Sequence, residues 1–336
     1  MSDLPSLREE DYATSCGGFM TLGRLAELER DPRYRAAYAV AHQGERVLAI
    51  VPLYAPQVPQ VPDPAYDPAR FVGAGPAADA TRWLFAGGRA DLSCGFLVHT
   101  GLDPETRDEA TAATRAAAHA LARRERRRLV AFYARDRDLP LWSTFLGDYD
   151  LKPIDRHAEL AVVGDGAADY VAALPSSHRG IVRRDWRDRD RHGLRSRVER
   201  WEDVLDDSAP LVANVKARYG QPDHPRLIRM RLEQWLAGEE LSPVAFRVEG
   251  PDGAPVAISL GWRWRAWLQL YEVGLVPEGA PGRHAAYVEA LIYAPLRFAA
   301  SSGCALLTLG LGSTEPKRLR GATLEPVYAI AQRTAR

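Results

Sequence analysis

Apolar and polar positions alternate over residues 35–42 and run almost unbroken apolar over 47–54, with Gln43-Gly44-Glu45 between them. Two such runs about a Gly-containing turn predict a β-hairpin. Ahead of it, residues 18–30 carry the spacing of a short amphipathic helix. Behind it, residues 55–79 are dense in Pro, Gly and Ala without periodicity, which predicts a long loop. Residues 92–99 then read as a strand, 100–104 as a loop, 105–127 as an Ala- and Arg-rich helix and 128–134 as a second strand.

The second half repeats this order. Residues 244–249 and 255–261 form a hairpin, 267–276 a strand, 277–283 a loop, 284–301 a helix and 305–311 a strand. Two copies of hairpin, strand, loop, helix and strand predict two tandem domains of mixed α/β (α+β) class, over residues 1–155 and 156–336. The repeat is one of architecture, with little residue identity between the copies. Residues 157–163 carry the chain from one domain to the other. Between the copies, residues 176–193 predict a helix with Ser176 or Ser177 as cap, Val182 and Trp186 in its apolar stripe and Gly193 at its end. From His178 to Arg200 there are nine Arg against Asp185, Asp188, Asp190 and Glu199, a strong local positive excess.

Composition changes little in this picture. The 336 residues suffice for two cores. Lys plus Arg (44) equals Asp plus Glu (44), so no global field draws the chain to polyanions, DNA included, and nucleic-acid contact has to come from a local patch. Cys16, Cys94 and Cys304 are far apart and odd in number, which argues against a disulfide framework or a Cys-x-x-Cys metal site and fits small buried hydrophobes. No secretory leader and no run of ~18 apolar residues is present, so a cytoplasmic protein without a membrane partner is expected. Nucleophile-elbow, phosphate-loop, Cys-His and His-x-x-x-His patterns are lacking.

The segment 261–321 carries the chemistry. Its hairpin strand Gly261-Trp-Arg-Trp-Arg-Ala-Trp-Leu-Gln-Leu-Tyr-Glu-Val273, the following helix and the run Gly310-Leu-Gly-Ser-Thr-Glu-Pro-Lys317-Arg-Leu-Arg-Gly321 resemble the C-terminal halves of FemAB-like and related tandem proteins of the GNAT superfamily. The helix with Ser177, Arg179, Arg183 and Arg184 has a similar counterpart there. The resemblance covers most of residues 155–325 and only loosely the first half. It implies two GNAT-like domains, each a splayed mixed sheet flanked by helices, and an acyltransferase that forms an amide on a small amine-type acceptor. FemAB-like proteins take their acyl group from aminoacyl-tRNA, so tRNA is the implied partner and aminoacyl-tRNA the co-substrate. An acetyl-CoA or other acyl-CoA donor is the alternative, and a non-catalytic tRNA- or ligand-binding module a second one. No tightly bound cofactor and no metal is implied, and the Ala- and Arg-rich composition associates the chain with specialised metabolism.

Acyl transfer needs a neutral amine, an activated ester or thioester and a partner for the charge that develops on the carbonyl oxygen. On the resemblance, Lys317 is placed beside that oxyanion; a solvated loop lysine is the plainer alternative. Glu272 is a candidate base, but simple alternation puts it on the side of Leu268 and Leu270 unless a bulge re-aims it, and a structural ion pair is the competing reading. Tyr271 and His284 are candidate proton donors or else packing groups. Trp262, Trp264 and Trp267, with Arg263 and Arg265 interleaved, form either an acceptor pocket or one core face of a sheet. Arg283, His284, Arg318 and Arg320, with Arg179, Arg183 and Arg184 of the Arg-rich helix, are candidate donor ligands. The loop Pro277-Glu-Gly-Ala-Pro-Gly-Arg283 departs from the glycine-rich coenzyme A turn, because two prolines supply no N–H to a pyrophosphate.

Overall fold

The computed structural model describes residues 7–61, 63–68, 79–164, 166–237 and 241–333. The chain divides into two compact units, residues 1–156 with 325–336, and residues 157–324.

In the first unit, β1 (Tyr12–Ala13) and α1 (Leu22–Leu28) precede the hairpin of β2 (Tyr34–Gln43) and β3 (Arg46–Pro56), paired from Tyr34↔Pro56 to Gln43↔Arg46. Its turn uses Gly44 at φ 60°, a left-handed conformation that suits glycine. β3 is buried at every position after Arg46, as a central strand with both faces covered is, which explains its unbroken apolar run. Part of the loop expected over 55–79 lies outside the described residues. The strand expected over 92–99 is confined to β5 (Leu97–His99), and an unexpected strand, β4 (Trp83–Ala86), precedes it; both are antiparallel to β3. Between them the chain leaves the sheet. Gly87 cannot carry a side chain, since a Cβ there would lie 2.6 Å from the Trp142 ring. All four residues of β4 are buried, so the fragment shows no alternation to read.

Helix α2 (Pro104–Arg124) starts where Asp103 accepts the Thr106 N–H at 2.9 Å. Its buried residues are small, Ala110, Thr114, Ala118 and Ala122 among them, which lets the backbone lie close to the sheet. β6 (Arg128–Arg135) pairs parallel with β4, and α3 (Leu139–Leu146) drives Trp142 and Phe145 against Phe96 at 4.5 and 5.4 Å between ring centroids.

β7 (Tyr149–Ala161) carries the chain into the second unit. There follow α4 (Ala167–Ala173), α5 (Ser176–Arg191), β8 (Arg195–Glu199), α6 (Leu205–Arg218) and α7 (Pro225–Gln234). Next come β9 (Ser242–Glu249), β10 (Pro255–Trp264), β11 (Trp267–Leu275), α8 (Arg283–Val288), α9 (Ala294–Ser301), β12 (Leu306–Gly310) and α10 (Thr314–Arg318). The strands lie in the order β8-β9-β10-β11-β12-β7, all antiparallel except β11 with β12. α5 begins after Pro175 with no side-chain cap, so the expected serine cap does not form. Its Val182 is fully buried and Trp186 packs on the same aliphatic core, which joins Leu160, Phe246, Leu268, Leu270, Ile292 and Leu307.

A π turn, Glu289–Tyr293, separates α8 from α9. Pro295 has no N–H to donate one turn back, and the ladder widens just before it. There Ser259 of β10 donates its hydroxyl proton to the Ala290 carbonyl at 2.5 Å, tying helix to sheet.

The last strand, β13 (Thr323–Gln332), corrects the expected boundary. From Glu325 onward the chain belongs to the first unit, where β13 pairs with β6 at Val327↔Arg135, Tyr328↔Ala134, Ile330↔Ala131 and Ala331↔Val130. The sequence reading places no strand here, since the partner that makes it one lies nearly 200 residues upstream. The three cysteines are buried and form no disulfide among the described residues. Among the described residues no helix is long and apolar enough to cross a membrane.

Candidate active site

β11 is the element around which the site is built. It pairs with β10 along its length, from Trp264↔Trp267 to Ala257↔Leu275, but with β12 only at Trp267↔Leu306, Leu268↔Leu307 and Gln269↔Thr308. Beyond Gln269 the two parallel strands part. A wedge inside a sheet offers an extended ligand a place to add main-chain hydrogen bonds.

At the mouth of this wedge the β10–β11 register shifts, because Gly261 faces Leu270 while Leu260 faces Glu272. Tyr271 is the extra residue of a β-bulge. Gly261 permits it, since a Cβ there would sit 2.2 Å from the Gln269 carbonyl oxygen. The bulge changes the parity of the strand. Leu268 and Leu270 point into the aliphatic core, whereas Glu272 falls on the opposite face, beneath α6. Its carboxylate, 16% exposed, lies 3.1 Å from Lys216 Nζ of α6 and 3.6 Å from the Arg231 guanidinium of α7. α6 approaches so closely that a Cβ on Gly274 would meet Leu211 Cβ at 2.6 Å.

On the same face Trp262 is fully buried and donates its indole N–H to Gln269 Oε1 at 3.3 Å. Trp235 stacks on it at 4.3 Å and Trp201 at 6.1 Å, and Tyr271 lies 5.5 Å away. Trp264 and Trp267 meet edge to face at 5.6 Å at the hairpin end, with the Arg265 guanidinium 4.5 Å from the Trp264 ring centre. That end is roughly 15 Å from Glu272 at ~3.3 Å per residue. Of the two readings of Trp262, Trp264 and Trp267, an acceptor pocket or one face of a sheet, the register gives the shared face, with Trp262 set apart from the hairpin-end pair. Trp262 is a wall behind Tyr271, and the hairpin-end pair closes the sheet.

Lys317, in α10, is 3% exposed. Its ammonium donates to the carbonyls of Leu309, Gly310 and Leu311 at 2.7, 3.2 and 2.8 Å. These are the residues with which β12 leaves the sheet, and Gly310, Gly312 and Ser313 all have positive φ there. Lys317, expected beside the oxyanion or else in solvent, is thus a buried residue whose ammonium clamps an irregular stretch of backbone. Arg320 is equally withdrawn from solvent. Its Nε donates to Asp185 of α5 at 2.8 Å and its Nη1 to the Pro316 carbonyl at 2.8 Å, while the Tyr293 hydroxyl donates to the same carboxylate oxygen at 2.5 Å. Burial raises the Tyr293 and Tyr170 hydroxyls above the ordinary phenol pKa. Arg320 therefore fastens α10 to α5 and does not face a phosphate site.

The other donor candidates lie at helix ends. Arg283 opens α8 but its Nε donates to the Val276 carbonyl at 2.9 Å. His284 is exposed on the first turn, and its pKa is lowered by partial desolvation and then by Arg320 and Arg184. Arg318 pairs with Glu315 at 2.6 Å, and Arg179 caps the Leu174 and Ala172 carbonyls at 2.9 Å each. Arg183 and Arg184 are exposed on α5, and their side chains make no ion pair among the described residues. Trp201, Trp235, Lys216, Arg231 and Asp185 were not singled out in the sequence. Only the lone lysine on the apolar-striped α6 could have marked one of them.

Residues 176–318 match the family model described as an acetyltransferase (GNAT) domain. Among solved structures the chain is similar to FemX, at 10% identity and TM-score 0.62, over 94% of this chain and 92% of that one. It is also similar to the C-terminal domain of a putative lysylphosphatidylglycerol synthetase from Agrobacterium fabrum, at 12% identity and TM-score 0.56, over 92% and 86%. The L-PGS structure from Bacillus licheniformis matches at 11% identity and TM-score 0.55, over 90% and 85%. No curated protein matches the sequence.

Proposed function

We propose that the chain, which has the fold of GNAT proteins, is an acyltransferase that moves an aminoacyl group from aminoacyl-tRNA to a small amine, forming an amide. The observation that carries this reading is the wedge between β11 and β12 with the bulge at Tyr271 placing Glu272 at its mouth. In the reaction the amine nitrogen attacks the ester carbonyl carbon, a C–N bond forms and the bond to the ribose oxygen breaks. Glu272 accepts the proton the amine loses, and Tyr271 supplies one to the departing oxygen. Lys216 and Arg231 hold the Glu272 carboxylate at its post. The backbone at the bulge is aimed at the developing oxyanion, and Lys317 serves it indirectly by fixing the end of β12.

The donor assignment draws support from two features. Pro277 and Pro281 lack N–H groups and Arg283 is engaged with Val276, which weakens a pyrophosphate grip; the exposed Arg183 and Arg184 of α5 suit a nucleic-acid backbone. One neighbour in fold is named as a putative lysylphosphatidylglycerol synthetase, after a product that carries a lysyl group. The family description itself favours a second reading, transfer from acetyl-CoA. Incubation with labelled aminoacyl-tRNAs and with labelled acetyl-CoA, with a set of small amines and with or without ribonuclease, separates the two. Ribonuclease-sensitive transfer is expected, and ribonuclease-resistant transfer from acetyl-CoA alone would overturn the assignment.

A further inference from the structure

The first unit contains a cavity of ≈ 330 Å³ that the transfer reaction does not use. It opens where β5 ends and α2 begins, beside the break between β4 and β5, and its size is that of ordinary small-molecule sites. Its walls are of three kinds. Phe96, Val98 and Leu141 make an apolar side, Ser15 and Asp138 a polar floor, and Arg107 on the first turn of α2 a cationic rim.

Asp138 is the informative residue. It is 9% exposed and its side-chain partner is the Ser15 hydroxyl, which donates to Oδ2. The neighbouring cations are engaged elsewhere: Arg135 lies 3.5 Å from Glu325 and Arg137 donates to the same Glu325 at 2.8 Å. Asp138 makes no ion pair among the described residues. A buried carboxylate without a cation is costly, and burial accordingly raises its pKa against the lowering effect of Ser15 and of the arginines. Arg107 presents the reverse case, an exposed guanidinium whose side chain has no partner among the described residues.

We propose that this cavity binds a small ligand of amino-acid type, its ammonium on Asp138 and Ser15, its short apolar body against Phe96 and Leu141, and its acidic group on Arg107. The ligand supplies the countercharge that the fold withholds from Asp138. The assignment stands independently of the donor used in the second unit.

Three matched probes test it on the full chain: L-norleucine, which carries both charges, n-hexylamine, which carries only the ammonium, and hexanoate, which carries only the carboxylate. Calorimetric titration is expected to rank norleucine above hexylamine, with hexanoate weakest. Asp138→Asn is expected to weaken both amines at least tenfold, and Arg107→Ala to weaken norleucine while leaving hexylamine unchanged. Ser15→Ala, which keeps the carboxylate, is expected to weaken both amines less and provides a readout should the asparagine variant fold poorly. Binding of none of the probes, norleucine binding that survives both Asp138→Asn and Ser15→Ala, or hexanoate binding as tightly as norleucine would each overturn the proposal.

Discussion

Glu272 of β11 and Lys216 of α6 meet at 3.1 Å, one residue beyond the bulge at Tyr271 and on the face turned away from the aliphatic core. The pair joins the strand edge where an acyl group would lie to the helix that covers it. Glu272→Gln keeps the shape and removes the carboxylate proposed as the base. Steady-state kinetics is expected to show a fall of ~10²–10⁴-fold in kcat, with little change in the KM for the donor. A loss confined to KM would assign Glu272 to binding alone.

Lys317 makes three hydrogen bonds to carbonyls that would otherwise be stranded in a nearly dry site. Lys317→Met is expected to cost ~3 kcal/mol in urea unfolding, since acceptors left without partners pay their desolvation in full. Activity per folded molecule then separates a clamp from a catalyst. A clamp loses stability first.

Arg320 and Asp185 form a buried pair at 2.8 Å, 4% and 3% exposed. Removing one partner leaves the other charged and unmatched, so Asp185→Asn or Arg320→Met is expected to destabilise by ~3–5 kcal/mol. The double variant Asp185→Leu/Arg320→Met is expected to recover much of that loss. Additive losses in a double-mutant cycle would show the two residues to be uncoupled.

His119 bridges elements of the first unit as a neutral ring, with Nε2 2.9 Å from the Phe145 carbonyl and Nδ1 3.4 Å from Gln332 Nε2. Desolvation lowers its pKa below 6.5, and the Phe145 carbonyl only partly offsets this. The unfolded chain therefore takes up the proton first on acidification. The stability from the neutral ring is complete above pH 6.5, falls as pH drops toward the folded value and levels off below it. Thermal melts of His119→Phe are expected to lose this component of the pH dependence between pH 7 and 5.

Much of the second unit is legible in the sequence, because its signals are local. The hairpin, β11, the Arg-rich helix and the helix before β12 all follow from period and punctuation. The site is less so. Glu272 obeys alternation only if the bulge is known, and the bulge depends on how Gly261 packs against Gln269, a cross-strand fact. Lys317 and Arg320 sit in a basic run that looks solvated, yet each is buried by partners brought from α5 and β12. Trp201 and Trp235 lie outside the hairpin whose Trp262 they enclose. In the first unit β4 escaped because Trp83 to Ala86 is buried throughout and carries no alternation.

The exchange of β13 has a consequence for biogenesis. β6 finds its second neighbour only in β13, which follows the whole second unit in the chain, so the first unit cannot complete its sheet before the second has been made. A fragment ending at residue 324 is expected to expose the flank of β6 and self-associate, and the two halves of the gene are not separable cassettes. Synthesis of β13 is the checkpoint that seals the sheet of the first unit.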